Sequence, residues 1–230
     1  MLTTLLLLSC AFFSASGEKE KCKITDKQCI VLFSNSVFEK IFEADNNQNI
    51  DPMYIEFVEG NFPDRKIKLT NISMTGYNTC KVFDLYWDIE QSLLNLEFYC
   101  LGFSINGQYE MSGLAVTVPT EEKGKFTIDT KSYKLMPNTT FELVQTVGNK
   151  TLFHLKDFNV KVSPLEKVAL HFTNLYNGQE IPSAKFLAQE HWRNIIYTLQ
   201  DKFASTCFKN VYVALNKVFT TMPLEEYFEL

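Results

Sequence analysis

Any chemistry in this chain has to come from its histidines, cysteines and carboxylates. The three histidines, His154, His171 and His191, are scattered. His154 and His171 fall in strand-like sequence, where a satisfied or solvent-facing imidazole is the ordinary role. Glu190-His191 lacks the second histidine that a zinc-binding His-Glu-x-x-His pair needs. No Gly-x-Ser-x-Gly nucleophile elbow occurs, and no glycine-rich phosphate loop. The carboxylates form no recognisable catalytic pair. The residues therefore point away from an enzyme and call for no metal and no cofactor.

The cysteines read as structural. Cys10 falls in the N-terminal leader, which leaves Cys22, Cys29, Cys80, Cys100 and Cys207. Cys22 and Cys29 are the expected pair. Seven residues of straight helix would hold their Cα atoms about 10 Å apart, beyond the ~7 Å limit of a disulfide. The chain must turn back between them, and Asp26 is placed to cap a helix that starts there. Cys80 and Cys100 flank a hairpin whose turn lies in Asp88-Ile89-Glu90-Gln91-Ser92. With the turn centred on Glu90 they face each other, either as a cross-strand disulfide or as two buried thiols. Cys207 is then a buried free thiol, or the partner of one of them.

The compartment follows from the leader. Leu5 to Leu8 and Ala11 to Phe13 form a short apolar region, and Ala15-Ser16-Gly17 offers a cleavage site. Residues 1–17 are thus expected to be a secretory signal, and residues 18–230 one extracellular domain. The sequons at Asn71, Asn138 and Asn149 agree with secretion. A net charge of −5 without a basic cluster argues against nucleic acid and against an anionic membrane surface. The expectation is a monomer without stable membrane insertion.

The apolar pattern names the elements. A first helix is expected from Asp26 to about Glu43, with Ile30, Phe33, Val37, Phe38 and Ile41 on its apolar face. From Ile55 to Thr173 the pattern is strand-like. Phe103, Ile105, Gly107, Tyr109, Met111, Gly113 and Ala115 alternate with polar residues as far as Ser112, at period 2. Beyond Gly113 the pattern inverts, which calls for a bulge there or a strand end covered on both faces. Gly107 and Gly113 would let the strand bend strongly. A long helical stripe then runs from about Lys185 to Thr221 and ends before Pro223. Such a helix spans about 54 Å, against about 44 Å for a compact sphere of this chain length, so an elongated molecule is expected.

One helix following many strands suggests an α+β fold in which a sheet wraps the helix and can enclose an apolar cavity. Twenty phenylalanines suit either a large core or a lined cavity. Candidate wall residues are Trp87, Phe103, Tyr109, Met111, Phe126, Phe172, Trp192 and Phe203, each of which can also serve as plain core. Tyr109 is the best polar anchor, because its hydroxyl can bond an ester, epoxide or carboxyl oxygen. Burying a fifteen-carbon ligand would gain on the order of 10 kcal/mol before association costs.

Several motifs, in order, resemble the insect takeout and juvenile hormone-binding protein family. They begin with Cys22 and Cys29, Asp51-Pro52, Leu69-Thr70-Asn71 with Gly76, and Gly107-Gln108-Tyr109 with Gly113. They continue with Gly124-Lys125-Phe126, Asn174-Leu175-Tyr176-Asn177-Gly178, Trp192, and Asn216-Lys217-Val218-Phe219 with Pro223-Leu224. The resemblance implies a long C-terminal helix wrapped by a strongly curved antiparallel sheet, of the tubular lipid-binding (TULIP-like) type. It also implies a secreted carrier of a lipophilic small molecule, terpenoid hormone or fatty acid-like, in an internal tunnel. The hormone carriers resembled here have a disulfide from a late strand to the C-terminal helix. Thr151 to Thr173 holds no cysteine to pair with Cys207, so the chain looks closer to takeout proteins. The alternative is a secreted defence or signalling protein that acts through its surface, which the acidic charge disfavours.

Overall fold

A computed structural model of the chain describes residues 21–42, 50–61, 65–115, 118–174 and 192–229. The expected leader and the segment Lys185–His191 lie outside these residues. The first element is a short strand β1 (Cys22–Lys23), followed by helix α1 (Lys27–Lys40). Asp26 caps α1, its carboxylate accepting the Cys29 amide at 3.1 Å. A Cys22–Cys29 disulfide closes this turn. β1 pairs in parallel with β11 (Phe228–Glu229), so the two ends of the described chain meet.

Among the described residues nine strands lie between the helices: β2 (Met53–Asn61), β3 (Arg65–Thr75), β4 (Lys81–Asp88), β5 (Leu93–Cys100), β6 (Ser104–Ala115), β7 (Val118–Asp129), β8 (Tyr133–Gln145), β9 (Thr151–Pro164) and β10 (Ala169–Phe172). They do not form one wrapping sheet. They divide into a five-stranded sheet ordered β10-β7-β6-β3-β2 and a four-stranded sheet ordered β4-β5-β8-β9. Among the described residues each is open at both edges. This corrects the expectation of a strongly curved sheet wound round the helix. The α+β class, the antiparallel pairing and the C-terminal helix stand.

The physical reason lies where the chain passes from one sheet to the other. β3 leads to β4 through Gly76 and a 3₁₀ turn (Tyr77–Thr79), β5 leads to β6 through Leu101–Phe103, and β7 leads to β8 through Thr130–Ser132. These links stack too closely for side chains. A Cβ on Gly76 would stand 2.2 Å from the Gly102 carbonyl oxygen, and one on Gly102 would stand 2.4 Å from that of Thr130. Gly76 has φ +122° and Gly102 φ +153°, conformations that side chains disfavour. Ladder bonds stop here and other bonds replace them. Thr130 N donates to Phe103 O at 2.9 Å, Phe103 N donates to Thr130 Oγ1 at 2.8 Å, and Leu101 N donates to Thr79 Oγ1 at 3.1 Å. A Cys80–Cys100 disulfide joins two of the links.

Gly113 does not mark a bulge against β7, because the β6–β7 register is continuous from Ser104↔Asp129 to Ala115↔Val118. The irregularity is on β3, between Thr70 and Ser73. There Asn71 takes φ +50°, which asparagine tolerates better than most residues.

The long helix, α2 (Trp192–Phe219), packs against β9 and β2, which are edges of different sheets. It has 28 described residues. One clamp on β9 is specific. Asn216 Oδ1 accepts the Leu155 amide at 2.8 Å, and Asn216 Nδ2 donates to the Leu155 carbonyl at 3.0 Å. The carboxamide thus stands in for the strand that β9 lacks on that side. α1 does the same at the opposite edge. Asn35 Oδ1 accepts Val82 N at 2.8 Å, and its Nδ2 donates to Val82 O at 2.9 Å. Lys27–Asp84 and Lys81–Glu39 ion pairs flank that second clamp.

Asn216→Ala strips both partners from a part-buried edge residue. It should lower stability by about 2 kcal/mol, read as a lower urea midpoint at an unchanged slope.

Candidate functional site

The stripe of α2 at residues 200, 203, 204 and 207 follows the three-and-four spacing that puts side chains on one helical face. Gln200, Phe203, Ala204 and Cys207 from that face line a partly open cavity of about 70 Å³. Its opposite wall comes from the sheet junction, with Tyr77, Phe103, Thr130 and Tyr133. Aliphatic side chains from both sheets fill in the rest, among them Leu69 and Ile105 from one and Leu135 and Val162 from the other. Phe103 organises the junction wall. Its ring lies 5.1 Å from Tyr77 and 5.8 Å from Tyr133.

The cavity is almost wholly apolar, so its few polar atoms decide its chemistry. Burial, then the neighbouring Cys207, holds the Tyr77 phenol well above its usual range. Burial likewise pushes the Cys207 thiol up, despite its hydrogen bond with Tyr77. Cys207 Sγ also lies 3.7 Å from Met74 Sδ. This cysteine is free, buried and kept as a thiol, which is the inert state. Thr130 Oγ1 is engaged by Phe103 N. Gln200 Oε1 is buried and has no hydrogen-bond partner. No histidine or carboxylate is among the described residues that line the cavity. No group of three or more His, Cys, Asp or Glu side chains able to hold a metal occurs among the described residues. The arrangement can sequester an apolar group and offer it one or two polar contacts.

Two of the eight wall candidates, Phe103 and Phe203, meet at this cavity. Tyr109, Phe126 and Phe172 gather elsewhere, on β6, β7 and β10. The Phe172 ring lies 5.1 Å from Tyr109 and 6.2 Å from Phe126. Their packing depends on glycine. Gly107 pairs with Phe126 and Tyr109 with Gly124 across the β6–β7 ladder. Each ring lies over the opposing glycine. A Cβ on Gly107 would stand 2.7 Å from Phe126 Cε1, and one on Gly124 would stand 2.8 Å from Tyr109 Cε1 and 2.3 Å from Thr173 O. Gly107 is thus a seat for a ring, and it stands opposite the irregularity of β3 between Thr70 and Ser73.

The Tyr109 hydroxyl donates to Thr173 O at 2.8 Å. Burial, then Glu122, pushes its pKa up to about 12. In this structure it ties β6 to the end of β10 and lies outside the cavity lining. Trp87 donates from Nε1 to Ile24 O at 3.3 Å and packs on Phe228, near the paired chain ends. Met111 lies beside the charged side chains of Glu59, Lys66 and Glu122. Trp192 opens α2, and its side chain lies outside the described residues. His154 contacts Glu142 on the surface at 3.1 Å.

Sequence reasoning passed over Gln200, Tyr77 and Thr130. Gln200 carries a usable signal, as a polar residue three and four positions before Phe203 and Ala204 in an apolar stripe. Tyr77 and Thr130 carry none, since each lies in a link between strands.

The profile of haemolymph juvenile hormone binding proteins matches residues 3–229. The chain belongs to that family. Family members are non-catalytic carriers, and that membership places the chain outside the enzymes. Among solved structures, Takeout 1 of Epiphyas postvittana superimposes with a TM-score of 0.81 at 15% identity, over 92% of this chain and 100% of that one. The likeness shows a shared fold. A lipopolysaccharide binding protein aligns at a TM-score of 0.44 and 9% identity, over 83% of this chain and 38% of that one. A comparison with curated protein sequences found no match.

Tyr109→Phe should cost about 1 kcal/mol of stability, through the Thr173 carbonyl left without its donor. A chemical denaturation curve reads the loss. Gly124→Ala forces a methyl against Thr173 O and the Tyr109 ring. It should cost about 1–3 kcal/mol, visible as a lower thermal midpoint.

Proposed function

We propose that this protein is a secreted, monomeric carrier of one lipophilic small molecule, held in the cavity between α2 and the junction of the two sheets. The observation that carries the reading is an apolar cavity lined by α2 in a chain of the juvenile hormone binding protein family. The two disulfides and the leader-like residues 1–17 support an oxidising, extracellular setting. Asn71, Asn138 and Asn149 are all exposed and are the proposed glycan sites. No described helix is long and apolar enough to cross a membrane.

Size sets how such a carrier would work. The cavity of about 70 Å³ is far below the ~300 Å³ at which pockets begin to envelop whole ligands. A terpenoid or fatty chain of about fifteen carbons, worth on the order of 10 kcal/mol gross on burial, enters only if lining side chains move. Phe203 and Ala204 are half-buried members of the wall and the natural ones to yield. Uptake is thereby coupled to repacking along α2. That cost, with association entropy, leaves a net dissociation constant of roughly micromolar to tens of nanomolar.

Native mass spectrometry of the secreted protein, followed by organic extraction, should find one retained lipophilic molecule per chain. Ala204→Leu should weaken uptake of a fluorescent lipid probe by about tenfold or more, because added bulk meets a closed wall. Unchanged uptake would place the ligand elsewhere.

A further inference from the structure

The cavity's polar atoms are not equivalent. The Tyr77 hydroxyl interacts with Cys207, Thr130 Oγ1 accepts the Phe103 amide, and Tyr133 also has a further interaction. Gln200 Oε1 has none, although it is buried. A buried carbonyl oxygen without a donor is rare in folded proteins and calls for a reason. Tyr212 O–H shares the condition, but Tyr212 does not line the cavity. Gln200 therefore combines two observations: the residue lines the space proposed for the ligand, and its oxygen, shielded until the lining side chains move, lacks a donor that a ligand can supply.

We infer that Gln200 is the polar specificity residue of the ligand site, and that the preferred ligand is an apolar chain ending in a hydrogen-bond donor. The class is a long-chain or terpenoid alcohol, or the neutral form of the corresponding acid. Its O–H donates to Gln200 Oε1 while its chain lies against Phe103, Phe203 and the aliphatic wall. An ether, a simple ester or an epoxide carries only acceptors and leaves that oxygen unsatisfied. A carboxylate is disfavoured further, since no cationic group is among the described residues that line the cavity and burying an unpaired charge is costly. This inference rests on the carrier reading and deepens it.

The test is displacement of a fluorescent naphthylamine probe from the full secreted protein by 1-dodecanol, its methyl ether and dodecane. The alcohol should displace the probe at about five- to tenfold lower concentration than the ether, the value of one added hydrogen bond. Gln200→Leu should bring that ratio close to one while dodecane binds as well or better. Gln200→Met, unbranched like glutamine, is the second variant, with circular dichroism confirming the fold of both. A wild-type ratio of one or less overturns the inference without any variant. An alcohol preference that persists in the folded variants overturns it too. Failure of the wild-type protein to bind the probe at all sinks the carrier reading itself, and the inference with it.

Discussion

A β-sheet that does not close leaves two rows of backbone donors and acceptors without partners, and this fold depends on how its helices meet that demand. The four-stranded sheet ends in β4 on one side and β9 on the other. Asn35 from α1 and Asn216 from α2 each offer a carboxamide that bonds both the N–H and the C=O of one edge residue. Primary amides do this well because they carry donor and acceptor in one plane, as a peptide does. The two clamps grip opposite edges of one sheet. The Asn216 clamp also fixes the axial position of α2, and with it which face the helix turns toward the sheet junction.

The cavity follows from that placement. α2 lies along edges of both sheets, and the links between the sheets cannot form a continuous ladder. Gly76 and Gly102 bring those links so close that side chains fit on one side of the stack only. Tyr77, Phe103 and Tyr133 build an aromatic wall there. A helix meeting such a wall through Ala204 and Cys207, which are small, leaves space that large residues would have filled. Small residues on the helix and aromatic ones on the junction are together what make this place a cavity.

The surface charges have a secondary part. Pairs such as Lys150–Glu226 and Lys156–Glu142 are exposed, and exposed pairs of this kind contribute little to stability. More specific is the contact in which Glu225 accepts the Thr151 amide at 2.9 and 3.0 Å, which anchors the C-terminal turn to the start of β9. The Glu225 carboxyl is held below its usual range by that Thr151 contact. Its stabilisation is present above the ordinary carboxylate range and is lost as pH falls through the lowered folded-state value.

Much of the local structure was legible in the residues. Asp26 announced the start of α1, the alternation from Phe103 to Gly113 announced β6, and the apolar spacing before Pro223 announced α2, because each signal is local and depends on one backbone period. Family membership was legible too, from motifs that now have physical roles: Asn216 is an edge clamp, Gly124 seats the Tyr109 ring, and Asp51 accepts the amides of Gly76 and Asn78. The division into two open sheets was not legible. Strand pattern says which face is apolar but not where a ladder stops, and that is decided by close approaches between links distant in sequence. The same holds for the site. Tyr109 looked like a free anchor until Thr173 was seen to take its hydroxyl, while Gln200 looked like an ordinary polar residue until its oxygen was found buried and alone. Whether a polar group is satisfied is a property of its neighbours in space, so only the tertiary structure could assign it.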